Sequence, residues 1–127
     1  MQGQHFTYSA HLHGTLAANA RGEYKLPFAA SLVGVSVGGG NANDAKLDLG
    51  VIHAGNTDRD GILAQKECGD NGAPNAYSAA DYNGALAVPG DPYHFQKGDI
   101  LTWDLDFDGA DGVPAQHVSI VCTFSEG

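Results

Sequence analysis

Hydrophobic and polar residues alternate with a period of two through most of the chain. From Phe6 to Leu16, apolar residues occupy most even positions, while histidine, threonine and serine occupy the odd ones. The same alternation marks KGDILTWDLDF and QHVSIVCTF near the C-terminus. This pattern predicts half-buried β-strands, and the helical period of 3.6 hardly appears.

Three further segments between these are predicted to form strands, namely Tyr24 to Val37, Lys46 to Ala54 and Ile62 to Lys66. In the first, Val33, Val35 and Val37 are predicted to share a face, and the triple glycine that follows ends the strand in a turn. A long loop is expected from Cys68 to Pro92, where Gly, Asn, Asp, Ala and Pro replace the alternation.

Six or more short strands without a convincing helix predict an all-β fold, an antiparallel β-sandwich, because each sheet must bury one face against the other. A jelly roll is the favoured topology, followed by an immunoglobulin-like sandwich. The length of 127 residues suits a single domain, 1–127. The predicted core contains Trp103, Leu105, Phe107, Val118, Ile120 and Phe124.

Charge narrows the possible partners. Fifteen Asp and Glu against six Lys and Arg give a net charge of −9, which repels phosphate backbones and anionic lipids. We therefore expect neither nucleic acid nor a membrane surface as a partner. No apolar run approaches the roughly 20 residues that span a bilayer, and the N-terminus lacks the pattern of a signal peptide. The sequence therefore contains no signal that directs export.

The stretch TWDLDFDGADG places acidic residues in the spacing of an EF-hand loop, with Asp104, Asp106 and Asp108 at positions one, three and five. Position twelve, however, is Ala115 instead of Glu, and a strand precedes the stretch where an EF-hand needs a helix. We therefore expect a strand with an acidic outer face. A weak surface cation site shared with Asp111 is the alternative.

The first strand places His5, His11 and His13 on one face, a spacing that a zinc site on a sheet can use. No Cys, Asp or Glu accompanies them within the segment, so neither a metal nor another cofactor is predicted. The chain has no GxSxG and no phosphate-binding glycine motif. We expect no catalytic residue and no enzyme activity.

The loop from Ala73 to Phe95 contains Tyr77, Tyr82, Tyr93 and His94 beside amide and carboxylate groups. Such a set can stack on and hydrogen-bond a sugar, but tyrosines in a long loop more often anchor the loop on the core or form a subunit contact. These four residues, with the three histidines of the first strand, form the predicted interface.

Cys68 and Cys122 are the two cysteines. In a chain without an export signal, two cysteines are expected to remain free thiols.

Three segments carry a resemblance to a known group: AKLDLGVIHAG with DRDGIL, KGDILTWDLDFDGADG, and PAQHVSIVCTFSEG. The chain resembles small β-sandwich capsid accessory proteins, called cement or decoration proteins, of tailed bacteriophages. The likeness covers most of the chain after about Tyr24 and carries over no catalytic or ligand residue.

That resemblance implies a structural virion protein on the capsid exterior, made in the host cytoplasm, with the major capsid protein as its partner. It also implies a homotrimer at three-fold positions of the shell. The alternative function is a carbohydrate-binding module of a virion or cell surface that uses the tyrosine-rich loop 73–95.

Overall fold

The computed structural model describes residues 5–15, 19–40, 45–70, 73–78, 81–82, 93–106 and 116–126. Most of these residues lie in β-strands, which are, in chain order, β1 His5–Thr15, β2 Ala20–Lys25, β3 Ala30–Gly39, β4 Lys46–Ile52, β5 Arg59–Glu67, β6 Gly69–Asp70, β7 Asn75–Tyr77, β8 Tyr93–Phe95, β9 Ile100–Asp106 and β10 Gln116–Glu126.

The strands form two sheets. In the six-stranded sheet, β1, β10 and β3 are neighbours in that order, and the short strands β6, β7 and β8 all pair with β3. The four-stranded sheet has the order β2-β9-β4-β5. With β8 as the fourth main strand of the first sheet, this is the strand order of a jelly roll. The predicted antiparallel β-sandwich is therefore confirmed.

The core lies between the two sheets and consists of the alternate side chains that the period-two pattern placed there. Leu105, Ile120 and Phe124 have no exposed surface, and Trp103 is 5% exposed. Val118 is buried as well, so these predicted core residues are confirmed. Phe107 lies outside the described residues.

The segment from Tyr24 to Val37, predicted as one strand, is two strands in different sheets. β2 ends at Lys25 and β3 begins at Ala30, and the chain crosses between the sheets in the intervening residues. Pro27 lies in this crossing and has no N–H to donate to a sheet ladder. The neighbouring Leu26 is held instead by its N–H to the Asp99 carbonyl, at 2.8 Å.

Val33 does not share a face with Val35 and Val37. The register between β10 and β3 shifts between Leu32 and Gly34, which makes Val33 the extra residue of a β-bulge. Val35 and Val37 are buried in the core, whereas Val33 is half-buried on the outer side. That part of the strand prediction was wrong, because a bulge shifts the alternation by one residue.

Candidate functional site

The outer surface of the six-stranded sheet carries most of the predicted interface. His5, His11 and His13 are exposed along β1, and His94 is exposed on β8. Its Nδ1 lies 3.1 Å from the Ser31 hydroxyl on the neighbouring β3. The histidines of the first strand and of the loop therefore lie on the same sheet face, with β10 and β3 between them.

We call this surface the histidine face. Its described side chains are small, hydroxyl-bearing, aliphatic or imidazole groups, and none is Asp, Glu, Lys or Arg. They are His5, Thr7, Ser9, His11, His13, Ser31, Val33, Gly34, Ser36, Ala76, His94, His117, Ser119, Val121, Thr123 and Ser125.

The outer surface of the four-stranded sheet has the opposite character, and we call it the charged face. The Arg21 Nε lies 3.1 Å from an Asp104 carboxylate oxygen, and the Arg59 Nε donates to the Thr102 hydroxyl at 2.7 Å. Its described charged side chains are Arg21, Glu23, Lys25, Lys46, Asp48, Arg59, Glu67, Asp104 and Asp106.

The acidic stretch is part of a strand. Asp104 and Asp106 lie in β9 and point outward on the charged face, opposite Arg21 and Lys46 of the flanking strands. The expectation of a strand with an acidic outer face is confirmed for these two residues. The other members of the alternative cation site, Asp108 and Asp111, lie outside the described residues.

Two of the loop tyrosines anchor the chain locally. Tyr82 is 9% exposed, and its hydroxyl donates to the Leu32 carbonyl at 2.8 Å. Burial raises the pKa of Tyr82. Tyr77 is half-buried and donates to the Glu67 carbonyl at 2.6 Å. Tyr93 pairs with Leu32 through its backbone, and its side chain lies outside the described residues.

His117, which stands alone in the sequence, lies beside a histidine of the first strand. His117 lies on β10 with its ring centroid 5.2 Å from that of His13, and its Nδ1 accepts the Gly14 N–H at 3.2 Å. His11 Nδ1 lies 2.8 Å from the hydroxyl of Ser119 on the same neighbouring strand. The spacing along the chain could not show this, because the grouping depends on the pairing of β1 with β10.

A buried carboxylate lies at one end of the sandwich. Asp99 is 2% exposed, accepts the Ala54 and Gln96 N–H groups at 2.9 Å each, and lies 3.1 Å from His53 Nδ1. Burial by itself would raise the pKa of the Asp99 carboxyl, but the two N–H groups and His53 outweigh it and hold that pKa below its usual value.

The His53–Asp99 pair resembles the base and orienting carboxylate of a catalytic triad. The other His53 nitrogen, however, lies 3.7 Å from the Asp60 carboxylate, which is not a group that a base activates as a nucleophile. Asp99 and its N–H donors instead hold the turn before β9 against the end of β4.

The cysteines are buried free thiols, as predicted. Burial raises the pKa of Cys68 to about 11 and that of Cys122 to about 12. Both therefore remain protonated near neutral pH, whereas the reactive nucleophile would be the thiolate.

Comparison with known proteins finds structural neighbours but no sequence family. No family model and no curated protein matches the chain. Among solved structures, the Drosophila NLP core, described in terms of pentamer formation and histone binding, has a TM-score of 0.42 at 8% identity and covers 93% of this chain and 97% of its own. The nucleoplasmin-like N-terminal domain of Drosophila FKBP39 has a TM-score of 0.39 at 14% identity, and the match covers 97% of this chain and 90% of that domain's chain.

A structure of infectious bursal disease virus, Gt strain, matches more weakly. Its TM-score is 0.34 at 11% identity, and it covers 98% of this chain but 38% of the viral chain. These likenesses concern the β-sandwich and transfer no function to this chain.

The comparisons correct the assignment to phage capsid accessory proteins. The solved structures with the higher scores are nucleoplasmin-like domains, and the viral match covers less than half of the viral chain. The cement protein function, the glycan-binding alternative in the same assignment, the major capsid protein as partner, the homotrimer and the virion location were therefore wrong. Segments such as PAQHVSIVCTFSEG carry the alternation of any sandwich strand.

Among the described residues, no helix is long and apolar enough to cross a membrane.

Proposed function

We propose that this chain is a non-catalytic assembly domain that packs against copies of itself through the histidine face. The observation that carries the proposal is the separation of charge between the two sheets. A chain with 21 charged residues has none among the described side chains of one entire sheet face.

Burying the histidine face has a low free-energy cost. A charged side chain that enters an interface must lose its hydration, which costs far more than burying the uncharged side chains of Ser, Thr and Val. These short side chains also lose little rotamer freedom. Charged residues are depleted at the cores of protein interfaces for this reason. Since copies with a net charge of −9 repel one another, association favours the face that adds no charge to the contact.

The edge of the same sheet supports self-association. β1 is 11 residues long, and its outer edge has no strand partner within the described ranges. Proteins usually protect such edges with lysine, proline, inward charges or bulges. β1, HFTYSAHLHGT, contains no lysine, proline or carboxylate, and its one bulge lies at the C-terminal end, which leaves His5 to Leu12 in regular register. A second copy that pairs with or packs on this edge would cover it.

The surface left exposed by such an assembly is acidic overall, so the partner class that it fits is a basic polypeptide. Exposed carboxylates occur at Glu23, Asp58, Asp81 and Glu126, distributed over both sheets and their loops. Charge attraction of this kind raises the rate of association and weakens as salt is added.

The experiment compares two threonine substitutions that add the same charge. Thr7 is exposed on the edge strand β1 of the histidine face, opposite Thr123, and Thr57 is exposed in the loop between β4 and β5. Sedimentation equilibrium should show self-association of the wild type, a shift to monomer in Thr7→Glu and no shift in Thr57→Glu. A wild type that remains monomeric at every concentration, or equal effects of the two substitutions, would contradict the proposal.

The partner class has its own test. A disordered lysine- and arginine-rich peptide should bind the wild type with an affinity that falls as salt rises, and a glutamate-rich peptide of equal length should not bind. Binding of neither peptide would remove the basic partner and leave the self-association proposal to the sedimentation result.

A further inference from the structure

The pocket at the end of the β1–β10 pair is lined by imidazole side chains. It has a volume of about 150 Å³ and is lined by His11, Leu12, His13, His117, Val118 and Ser119. We propose that His13 and His117 bind one divalent late transition metal, such as Zn²⁺ or Ni²⁺, through their imidazole nitrogens. This inference does not depend on the proposed self-association.

The spacing of the two rings fits a shared metal ion. Two imidazoles bound to one tetrahedral zinc, at Zn–N distances of about 2.0–2.1 Å, place their ring centroids about 5.2 Å apart. The centroids of His13 and His117 are 5.2 Å apart, with an interplanar angle of 67°. The separation of the two rings therefore equals that of two imidazole ligands on one ion.

The backbone is shaped to produce this arrangement. The β1–β10 register shifts between Leu12 and Thr15, which inserts an extra residue into β1, and Gly14 there has a φ of +78°. His117 has a φ of +49°, a left-handed conformation that is uncommon for a residue other than glycine. Bulges often direct side chains at functional sites, and here the bulge brings the two imidazoles together.

The chemistry suits a soft or borderline cation. Neutral imidazole is a preferred ligand of zinc, nickel and copper, and the polar lining contains no carboxylate that would favour calcium or magnesium. Among the described residues, no group of three or more His, Cys, Asp or Glu meets the geometry of a metal site. The site therefore has two protein ligands and open positions for water or a further donor.

Metal binding has a local signature at Gly14. The His117 Nδ1 accepts the Gly14 N–H, so the imidazole proton resides on Nε2. Coordination through Nε2 moves that proton to Nδ1, which can then no longer accept a hydrogen bond. The amide resonance of Gly14 should therefore shift as diamagnetic Zn²⁺ is added. The amide resonance of Ser31, beside His94, should not shift.

The test uses the full chain without a purification tag, titrated with ZnCl₂ and separately with NiCl₂ by calorimetry. Wild type should bind one ion saturably. His13→Ala and His117→Asn should each weaken binding by about tenfold or more, and asparagine is chosen because it tolerates the left-handed backbone. The matched control is His94→Ala, which removes an exposed histidine elsewhere on the same face and should leave the affinity unchanged.

Thermal melts of each variant establish that it is folded before the titration is interpreted. The proposal is overturned if the wild type shows no saturable binding, if folded His13→Ala binds as tightly as the wild type, or if His94→Ala loses as much affinity as the two site variants.

Discussion

At the scale of single residues, the absence of a side chain at Gly22 leaves room for an aromatic ring of the neighbouring strand. A Cβ atom added to Gly22 would lie 2.6 Å from the indole ring of Trp103, which is itself held by a hydrogen bond from its Nε1 to the Tyr8 hydroxyl at 3.1 Å. Gly61, also within a strand, has no atom within 4 Å of an added Cβ.

We expect Gly22→Ala to lower the free energy of unfolding by about 1–3 kcal/mol, because the indole must leave its position to accommodate the methyl group. Gly61→Ala, the control, should change stability by less than about 1 kcal/mol. Urea denaturation measures both values. Equal effects of the two substitutions would show that the Trp103 ring does not limit the space at Gly22.

The buried Asp99 gives a second expectation at this scale. Because its pKa is lower in the folded chain than in the unfolded chain, its stabilising contribution is complete above the usual value of 3.8 and is lost as the pH falls through the folded value. Asp99→Asn should therefore lower the unfolding free energy at neutral pH by about 1–3 kcal/mol and reduce the loss of stability below pH 3.8.

Denaturation curves measured from neutral pH down to acid test this expectation, with the exposed Asp58→Asn as the control. If Asp99→Asn retained the full acid sensitivity of the wild type, other carboxylates would be responsible for it.

At the scale of the elements, aromatic side chains of β9 and β2 connect the two sheets. β9 lies between β2 and β4, and its Trp103 reaches across the core to Tyr8 of β1. The aromatic rings of Tyr8 and Tyr24 stack at 4.6 Å, which adds a contact between β1 and β2. These aromatic residues therefore contribute contacts between the two sheets.

Trp103→Ala should cost about 3–5 kcal/mol of a total stability of about 5–15 kcal/mol, since it removes a buried ring and leaves a cavity between the sheets. Phe28→Ala, at an aromatic residue that is 38% exposed, should cost less. Thermal unfolding measures the difference. An unchanged melting temperature in Trp103→Ala would contradict the burial of this strand face.

At the scale of the whole molecule, the sandwich has two dissimilar outer faces and a core that isolates both thiols. The histidine face lacks charged side chains among its described residues, while the charged face pairs cations with carboxylates across its strands. Such asymmetry is typical of a protein that uses one surface for contact and another for solubility.

The thiols report on the integrity of this core. We expect Cys68 and Cys122 to react slowly with a thiol reagent in the native protein, and both to react in denaturant without reducing agent. Because their pKa values rise from 9.0 to about 11 and about 12 on folding, the buried thiols favour folding below about pH 9, and that contribution is lost as the pH rises toward 12. Finding no reactive thiol in denaturant would show that a disulfide forms.

The sequence by itself determined that the fold is all-β and determined most of the core, because the side-chain period of a strand is a local property of the backbone. The alternation around Trp103 and Ile120 predicted both strands and their buried faces correctly. The same information implied two packed sheets, since each strand needed cover for one side. It could not place Val33, because a bulge leaves no mark on the hydrophobic pattern.

The tertiary structure alone decided where the histidines and charges meet. His13 and His117 are 104 positions apart in the chain, and the antiparallel pairing of β1 with β10 brings them together. The uncharged character of an entire face likewise depends on which strands share a sheet, and neighbouring strands there, such as β10 and β3, are distant in sequence. The hydrophobic period and the composition are properties of the linear sequence, whereas a surface combines residues from strands that are distant in the sequence.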